Sequence, residues 1–205
     1  MAPVARDGAL PVSFSQQRMW LIQKMDPTTT AYNMTLAVRL SGALDRQALD
    51  AAVAALVMRH EAFRARFVML DGQVRQFVDV AAPTAPRYMD LVVPGSSDSR
   101  LDQALALLQE EARHHFDLEH GPLFSLLLIR TAVDEHVLGW TMHHLISDDW
   151  SSAIMMRELA ALYNSARQGE AAPLAVVDGD QEGPEDVAAP ALPRLYHGLL
   201  DRVRR

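Results

Sequence analysis

The sequence predicts an α/β fold in which helices cover a sheet. Segments whose apolar residues recur at helical spacing alternate along the chain with segments that alternate like strands, and an Asp-Gly pair joins two of the strand candidates. The chain has 205 residues, of which 49% are hydrophobic and 22% charged. These values are typical of one globular domain with a single core rather than two full domains.

The first predicted elements are a helix and a strand. Residues 13–25 begin with Ser13, a residue that often caps helices, and space Trp20, Leu21 and Met25 as in a short amphipathic helix. In residues 31–40 the apolar side chains alternate as in a strand, at Tyr32, Met34, Leu36, Val38 and Leu40.

A second helix and a hairpin follow. After a cap-like Asp45, apolar residues recur at helical spacing at Leu49, Ala52, Val53, Leu56 and Val57. Residues 63–70 and 73–80 flank Asp71-Gly72, which strongly indicates a hairpin turn.

The rest of the folded region is predicted as helix, strand pair and helix. Residues 98–116 favour a helix, and the apolar stretches 122–130 and 136–144 favour two paired strands. A last helix begins at Asp148 or Asp149 and ends at Gly169. It places four large apolar residues on or near one face, namely Trp150, Ile154, Leu159 and Leu162.

The composition changes after residue 168. Residues 169–190 are rich in Gly, Pro, Ala and acidic residues and are predicted to form a flexible linker. Residues 191–205 have the spacing of an amphipathic helix, with apolar positions Leu192, Leu195, Tyr196, Leu199, Leu200 and Val203. This helix either packs on its own domain or docks to a partner.

Charge and composition exclude several classes of protein. The net charge of −7 argues against nucleic acid as a partner. The absence of cysteine excludes disulfides, a thiolate nucleophile and a cysteine metal site. Because the chain shows no secretory signal and no apolar run long enough to span a bilayer, we expect a cytoplasmic protein that does not bind membranes.

The candidate chemistry lies in residues 141–152, TMHHLISDDWSS, where a predicted strand passes into a helix. Neighbouring strand residues point to opposite faces, so His143 and His144 cannot both enter one site, and one of them should be buried. One imidazole is then available as a general base or a positioning group, because its pKa lies near neutrality. Asp148 would anchor the loop that carries it.

Three other interpretations of the histidine pair stay open on the residues alone. A metal site is disfavoured, because no other histidine or acid lies at a complementary spacing. A serine hydrolase is disfavoured as well, because Ser147 does not lie in a G-x-S-x-G turn. Alternatively, both histidines are ordinary core or surface residues.

Three ordered motifs resemble those of condensation domains from nonribosomal peptide synthetases, in the chloramphenicol acetyltransferase-like superfamily. MHHLISDDWS resembles MHHxxSDGxS, with Asp149 in place of the glycine. SFSQQRMW is similar to SxAQxRxW and retains Ser13, Gln16, Arg18 and Trp20, while Ser15 replaces alanine. RHEAFRARF resembles RHExLRTxF and retains Arg59, His60, Glu61, Arg64 and Phe67, while Phe63 and Ala65 depart from it.

The resemblance implies roles for these residues. In that family a carrier-bound amine attacks an acyl thioester held on the phosphopantetheine arm of another carrier protein, and an amide forms. His144 would be the catalytic residue, which abstracts a proton or positions the amine. His143 and Asp148 would support it, with Asp148 paired to Arg59 or Arg64, since a buried acid needs a partner. Ser147, Asp149 and Trp150 are candidates for lining the substrate channel.

The resemblance also implies one lobe of a two-lobed enzyme. We expect residues 1–168 to form a chloramphenicol acetyltransferase-like N-terminal lobe, a mixed sheet covered by helices, with no covalently bound cofactor and no metal. Its partners would be carrier proteins with phosphopantetheine-tethered substrates. Three functions stay open: a condensation half completed by a second lobe or by self-association, a non-catalytic lobe that binds carrier proteins or scaffolds an assembly line, and a homo-oligomeric acyltransferase that uses coenzyme A.

Overall fold

The fold is known from a computed structural model, which describes residues 8–82, 85–92, 97–170 and 174. In chain order the elements are β1 (Leu10–Pro11), α1 (Phe14–Met25), β2 (Asn33–Ser41), α2 (Arg46–Arg59), a 3₁₀ helix (Glu61–Arg64), β3 (Ala65–Leu70), β4 (Gln73–Val78), β5 (Arg87–Asp90), α3 (Ser97–Glu111), β6 (Phe124–Ala132), β7 (Glu135–His143) and α4 (Asp149–Gln168). The predicted α/β class is confirmed. The predicted C-terminal helix, and most of the predicted linker, lie outside the described residues.

Helix ends lie where the capping residues predict them. Asp45 caps α2 by accepting a hydrogen bond from the Ala48 backbone N–H at 3.0 Å. Ser13 caps α1 in a reciprocal capping box, and Asp148 caps α4 in the same way. Gly169 ends α4 in a left-handed conformation with φ 70°, which glycine adopts without steric cost.

The predicted hairpin is confirmed as β3 and β4. Leu70 pairs with Gln73 across a two-residue turn, in which Asp71 has φ 50° and Gly72 has φ 76°. Positive φ at both central positions is what a turn matched to the twist of the strands requires, and Asp-Gly supplies it. This hairpin forms a three-stranded sheet, because β1 pairs with the free edge of β4.

The larger sheet has four strands in the order β2, β7, β6, β5. The first three are antiparallel neighbours, whereas β5 is parallel to β6, so the sheet is mixed. Helices α2 and α4 cover one face with a core that includes Leu56, Trp140 and Leu159. Helix α3 covers the opposite face, where its Leu108 lies in one core cluster with Ile129 of β6. Strand β7 is therefore buried on both faces.

Three of the predicted features differ in the structure. Of the residues spaced as an apolar face on α1, only Trp20 is buried, whereas Leu21 and Met25 are exposed. The reason is that only a narrow strip of α1 packs against the rest of the domain. In that strip, Trp20 packs beside the smaller sheet and donates from Nε1 to the Phe67 carbonyl at 3.1 Å. Trp150 is also exposed rather than on the packed face of α4.

The third difference concerns the end of α3. This helix ends at Glu111 rather than near Phe116. The amide of Asn33 binds the carbonyls of Ala112 and His114 at 2.9 and 2.7 Å, and thereby fixes the chain as it leaves the helix. Within the described ranges, no helix has the length and apolar character needed to cross a bilayer.

Candidate functional site

The two histidines lie where β7 ends and, as predicted, they face opposite ways. The backbone N–H of His143 donates to the Leu123 carbonyl at 2.9 Å, and that of His144 donates to the Tyr32 carbonyl at 2.8 Å. His143 is only 1% exposed, whereas the His144 side chain is exposed. Where the strand ends, the backbone therefore directs the imidazole of His144 to the surface and that of His143 into the core.

His143 is a neutral structural residue. Its Nδ1 accepts the backbone N–H of Leu145 at 3.1 Å, so the ring proton is on Nε2. The ring lies 6.1 Å from that of Tyr32 and 6.4 Å from that of Phe116, between centroids. Burial, with a smaller contribution from the nearby His144, lowers the pKa of His143 to about 4. His143 therefore stays uncharged at neutral pH and holds the turn that follows it.

His144 has the opposite arrangement of its ring nitrogens. Its Nδ1 lies 2.7 Å from the Ser147 backbone carbonyl. A carbonyl oxygen only accepts hydrogen bonds, so Nδ1 carries the proton and Nε2 carries the lone pair in the neutral ring. The exposed imidazole is thus held in the tautomer that a general base needs on its outer nitrogen.

A tight turn joins His144 to α4. The Ile146 N–H donates to the His143 carbonyl at 3.0 Å, which places His144 and Leu145 at the centre of a four-residue turn. The side chain of Leu145 is buried in the cluster that also contains Trp20. From α1, the Gln16 side-chain Nε2 donates to the Leu145 carbonyl at 3.2 Å. The histidine is therefore carried by a segment that is fixed at both its backbone and its side chains.

Asp148 supports the site in a different way from the one predicted. Its carboxylate accepts the Ser151 backbone N–H at 2.7 Å, and its own N–H donates to the Ser151 hydroxyl at 2.8 Å. These bonds to Ser151 hold the pKa of Asp148 below its usual range. Asp148 fixes the start of α4, immediately after the turn that bears His144.

Both arginines that were predicted to pair with Asp148 have other partners in the structure. Nε of Arg59 donates to Glu158 on α4 at 3.0 Å, and His60 Nε2 lies 2.6 Å from the same carboxylate oxygen. Arg64 directs three donors to backbone carbonyls, the closest being that of Asp79 at 2.6 Å. The end of α2 faces the middle of α4, where Glu158 lies.

Glu158 is therefore a carboxylate that joins α2 to α4 and that the sequence did not reveal. Its side chain is 14% exposed and links the end of α2 to α4. Burial has the largest single effect and raises the pKa of Glu158, but the hydrogen bonds from His60 and Arg59 and their charges together bring that pKa below its usual range. Its partners were singled out by the RHE motif, but nothing in the local spacing of α4 marked Glu158.

The three candidates for lining a substrate channel behave differently. The Ser147 hydroxyl lies 3.1 Å from that of Ser151, and it is the carbonyl of Ser147, not its hydroxyl, that contacts His144. This arrangement gives no serine nucleophile paired with the histidine. Trp150 is 73% exposed and free to contact a ligand or partner. Asp149 is the first residue of α4, and its side chain lies outside the described atoms.

Two further observations concern ligands. An apolar cavity of about 380 Å³ opens between β2, α2 and α4, with Leu49, Leu159 and Arg167 in its wall. It lies toward the C-terminal half of α4, and no predicted site residue lines it. In the part of the chain that the structure describes, no group of three or more acidic or histidine side chains is arranged to hold a metal ion.

The chain resembles a group of known proteins in sequence. The family model described as Condensation domain matches residues 6–178. The chain is 40% identical over 174 residues to malpinin synthetase of Mortierella alpina, and 40% identical over 174 residues to isonitrile lipopeptide synthase of Mycobacterium tuberculosis. These matches cover 85% and 83% of this chain, but only 2% and 7% of the two relatives.

Solved structures show the same fold. The first condensation domain of the CDA synthetase superposes with a TM-score of 0.77 at 22% identity, over 85% of this chain and 44% of that one. The starter condensation domain of rhizomide synthetase gives 0.75 at 20% identity, over 82% and 40%. The chain thus spans less than half of each solved structure, and the predicted lobe-like fold is confirmed over the matched part.

Proposed function

Because the chain belongs to the condensation-domain family, we propose that it is the histidine-bearing half of an enzyme that joins an acyl thioester to an amine. One of the relatives that it matches is a probable non-canonical nonribosomal peptide synthetase of Salinispora arenicola, and the motifs imply an acyl group held on a carrier protein. The observation that carries the proposal is the exposed His144, whose Nδ1 is held by the Ser147 carbonyl. The outer nitrogen, Nε2, is thereby left to act on a substrate.

In the proposed reaction the amine nitrogen forms a bond to the thioester carbonyl carbon, and the carbon–sulfur bond breaks to release a thiol. His144 Nε2 takes the proton that the amine loses and passes it to the departing sulfur, or it holds the amine by accepting a hydrogen bond while the proton moves from nitrogen to sulfur. The buried His143 beside it stays neutral at neutral pH. The buried strand and the cap of α4 keep the ring in place.

The phosphopantetheine arm of a carrier protein is the expected substrate tether. His144 is exposed just after the end of β7, where a flexible arm can reach it without unfolding the domain. The arm supplies the thioester, and this chain supplies the base. We also propose that a second lobe, or a second copy of this chain, covers the open side and excludes water. The cytoplasmic location expected from the sequence stays a prediction.

The test is amide formation by the full chain. A carrier-bound acyl thioester and an amine on an acceptor carrier are incubated with the chain, with and without a separately produced second lobe, and products are measured by mass spectrometry. The proposal predicts product only when the second lobe is present or when the chain self-associates. Carrier binding that never leads to product would instead support a non-catalytic lobe.

A parallel reaction distinguishes an acyltransferase that uses coenzyme A from the proposed condensation of carrier-bound substrates. Coenzyme A thioesters replace the carrier-bound donor, and the mass of the active species is measured in solution. Turnover by a homo-oligomer with free coenzyme A thioesters, and none with carrier-bound donors, would favour the acyltransferase. A strictly monomeric chain would count against it.

A further inference from the structure

Gln16 lies on α1, 129 residues before the turn it contacts, and both ends of its side-chain amide are used. Oε1 accepts the Ser13 backbone N–H at 2.9 Å, which completes the capping box of α1. Nε2 donates to the Leu145 carbonyl at 3.2 Å. Because the oxygen is already committed to a donor and the nitrogen to an acceptor, the orientation of the amide is fixed by its own contacts.

The Gln16 side chain is also presented from a fixed support. One helical turn further along α1, Trp20 is 5% exposed and its Nε1 donates to the Phe67 carbonyl at 3.1 Å. This contact holds α1 against the smaller sheet. The first turn of α1 is held by the capping box at Ser13. The Gln16 donor therefore cannot drift away from the turn without breaking one of these contacts.

The Leu145 carbonyl is the point at which a side chain from another element holds the backbone of the histidine turn. Its peptide group leads to Ile146 and then to Ser147, whose carbonyl holds His144 Nδ1 at 2.7 Å. A rotation of the Leu145 peptide group therefore moves the Ser147 carbonyl relative to the ring. Holding one carbonyl keeps the other in its hydrogen bond to the imidazole.

We propose that Gln16 is a positioning residue for His144. It locks the turn in which the Ser147 carbonyl selects the Nδ1–H tautomer, and thereby keeps Nε2 unprotonated and directed outward. Gln16 acts through the backbone and does not touch the substrate. The inference rests on the proposed function for its catalytic meaning, but the tautomer itself is a property of the folded chain alone.

The test compares three variants of the full chain by ¹⁵N NMR of the histidine side chains. Gln16→Glu retains the acceptor that caps α1 but loses the donor to Leu145. Gln16→Met keeps the length of the side chain without either polar end. Gln17→Glu is the matched control, because Gln17 is an exposed neighbour on the same helix and takes the same added charge. The His144 signals are assigned from their absence in His144→Ala.

Spectra are recorded well above about pH 6.5, where an ordinary imidazole is neutral. The wild-type chain and Gln17→Glu are expected to show His144 with its proton on Nδ1. In Gln16→Glu and Gln16→Met, the preference for the Nδ1–H form should fall by about fivefold, the effect of losing one ordinary hydrogen bond. If both Gln16 variants are folded and keep the wild-type tautomer ratio, the proposal is overturned.

The design separates this inference from the proposed function. In an active reconstituted system, both Gln16 variants should lower kcat with little change in KM, while Gln17→Glu changes neither. If the tautomer shifts but no chain forms amide under any pairing, Gln16 still positions His144 and the proposed function fails. If amide forms and the tautomer never shifts, the function stands and the positioning role fails. Thermal unfolding of each variant confirms that the compared chains are folded.

Discussion

Gly139 lies in the middle of β7, directly beneath α3, and we expect Gly139→Ala to be strongly destabilising. A methyl carbon built on Gly139 lies 2.1 Å from Leu108 Cδ2, with Leu108 Cγ and Cδ1 at 3.3 and 3.4 Å. Ordinary carbon contacts are about 3.5–4.0 Å long. The alanine fits only if Leu108 moves by more than an ångström.

Leu108 has little room for such a movement. It is fully buried, at 0% exposure, in a cluster that also includes Ala104, Ile129 and Val137. Overpacking of a filled core costs about 1–3 kcal/mol, and the short contact places this case at the upper end, at about 3 kcal/mol. For a domain of this size that loss lowers Tm by roughly 6–12 °C.

The assay is urea unfolding followed by tryptophan fluorescence, with a double-mutant cycle. Leu108→Ala alone leaves a cavity and should cost about 3 kcal/mol. Because it also makes space for the methyl group, Gly139→Ala combined with Leu108→Ala should be more stable than the sum of the single effects by about 2 kcal/mol. Gly8→Ala is the control, since nothing lies within 4 Å of a methyl group at that position.

Two results would refute this reasoning. A stability of Gly139→Ala within about 0.5 kcal/mol of the wild type, which is the usual range for surface changes, would mean that α3 does not pack closely on β7. Strict additivity with Leu108→Ala would mean that the destabilisation arises elsewhere.

Three other predictions concern the residues around the site. The wild type should lose about 3 kcal/mol of its free energy of unfolding as pH falls from about 6.5 to 4, because the unfolded imidazole of His143 binds a proton and the buried one does not. His143→Asn should not show this loss when unfolding by urea is measured at both pH values. Equal losses in both proteins would contradict the burial of that ring. Glu158→Gln should lower the free energy of unfolding by about 2 kcal/mol at neutral pH, since it breaks a largely buried ion pair. The control Glu110→Gln changes an exposed residue and should leave the free energy of unfolding almost unchanged. Because the pKa of Glu158 is lower in the folded chain than in the unfolded chain, the carboxylate stabilises the fold above its unfolded pKa, and this stabilisation is lost as pH falls through its folded pKa. The difference in free energy of unfolding between the wild type and Glu158→Gln should therefore shrink in acid. Asp148→Ala should cost about 1 kcal/mol and Asp148→Asn almost nothing, because Asn caps helices equally well; a cost of several kcal/mol for Asn would indicate an ion pair instead.

Much of the fold was predictable because its signals are local. The turn at Asp71 and Gly72 needs positive φ at both positions, and the residue types indicate it. Ser13, Asp45 and Asp148 mark helix starts by the same kind of short-range hydrogen bond. The burial of one histidine and the exposure of the other followed from the alternation of a strand.

What the sequence did not reveal depends on how elements meet in space. Strand β5 has four residues, of which three are exposed, and it forms only because the edge of β6 is free beside it. The identity of the carboxylate that binds Arg59 depends on the alignment of α2 along α4, which no spacing within either helix encodes. The contact of Gln16 with Leu145 joins residues from opposite ends of the domain.

The most direct test of the role proposed for His144 is the single-turnover rate of amide formation by the reconstituted system with His144→Ala. General base catalysis supplies about 10² to 10⁴ in rate, so we expect a loss of that size. His115→Ala, which removes another exposed histidine, should leave the rate unchanged. A His144→Ala rate within about twofold of the wild type, far below the contribution expected of a general base, would contradict the assignment of His144 as the base.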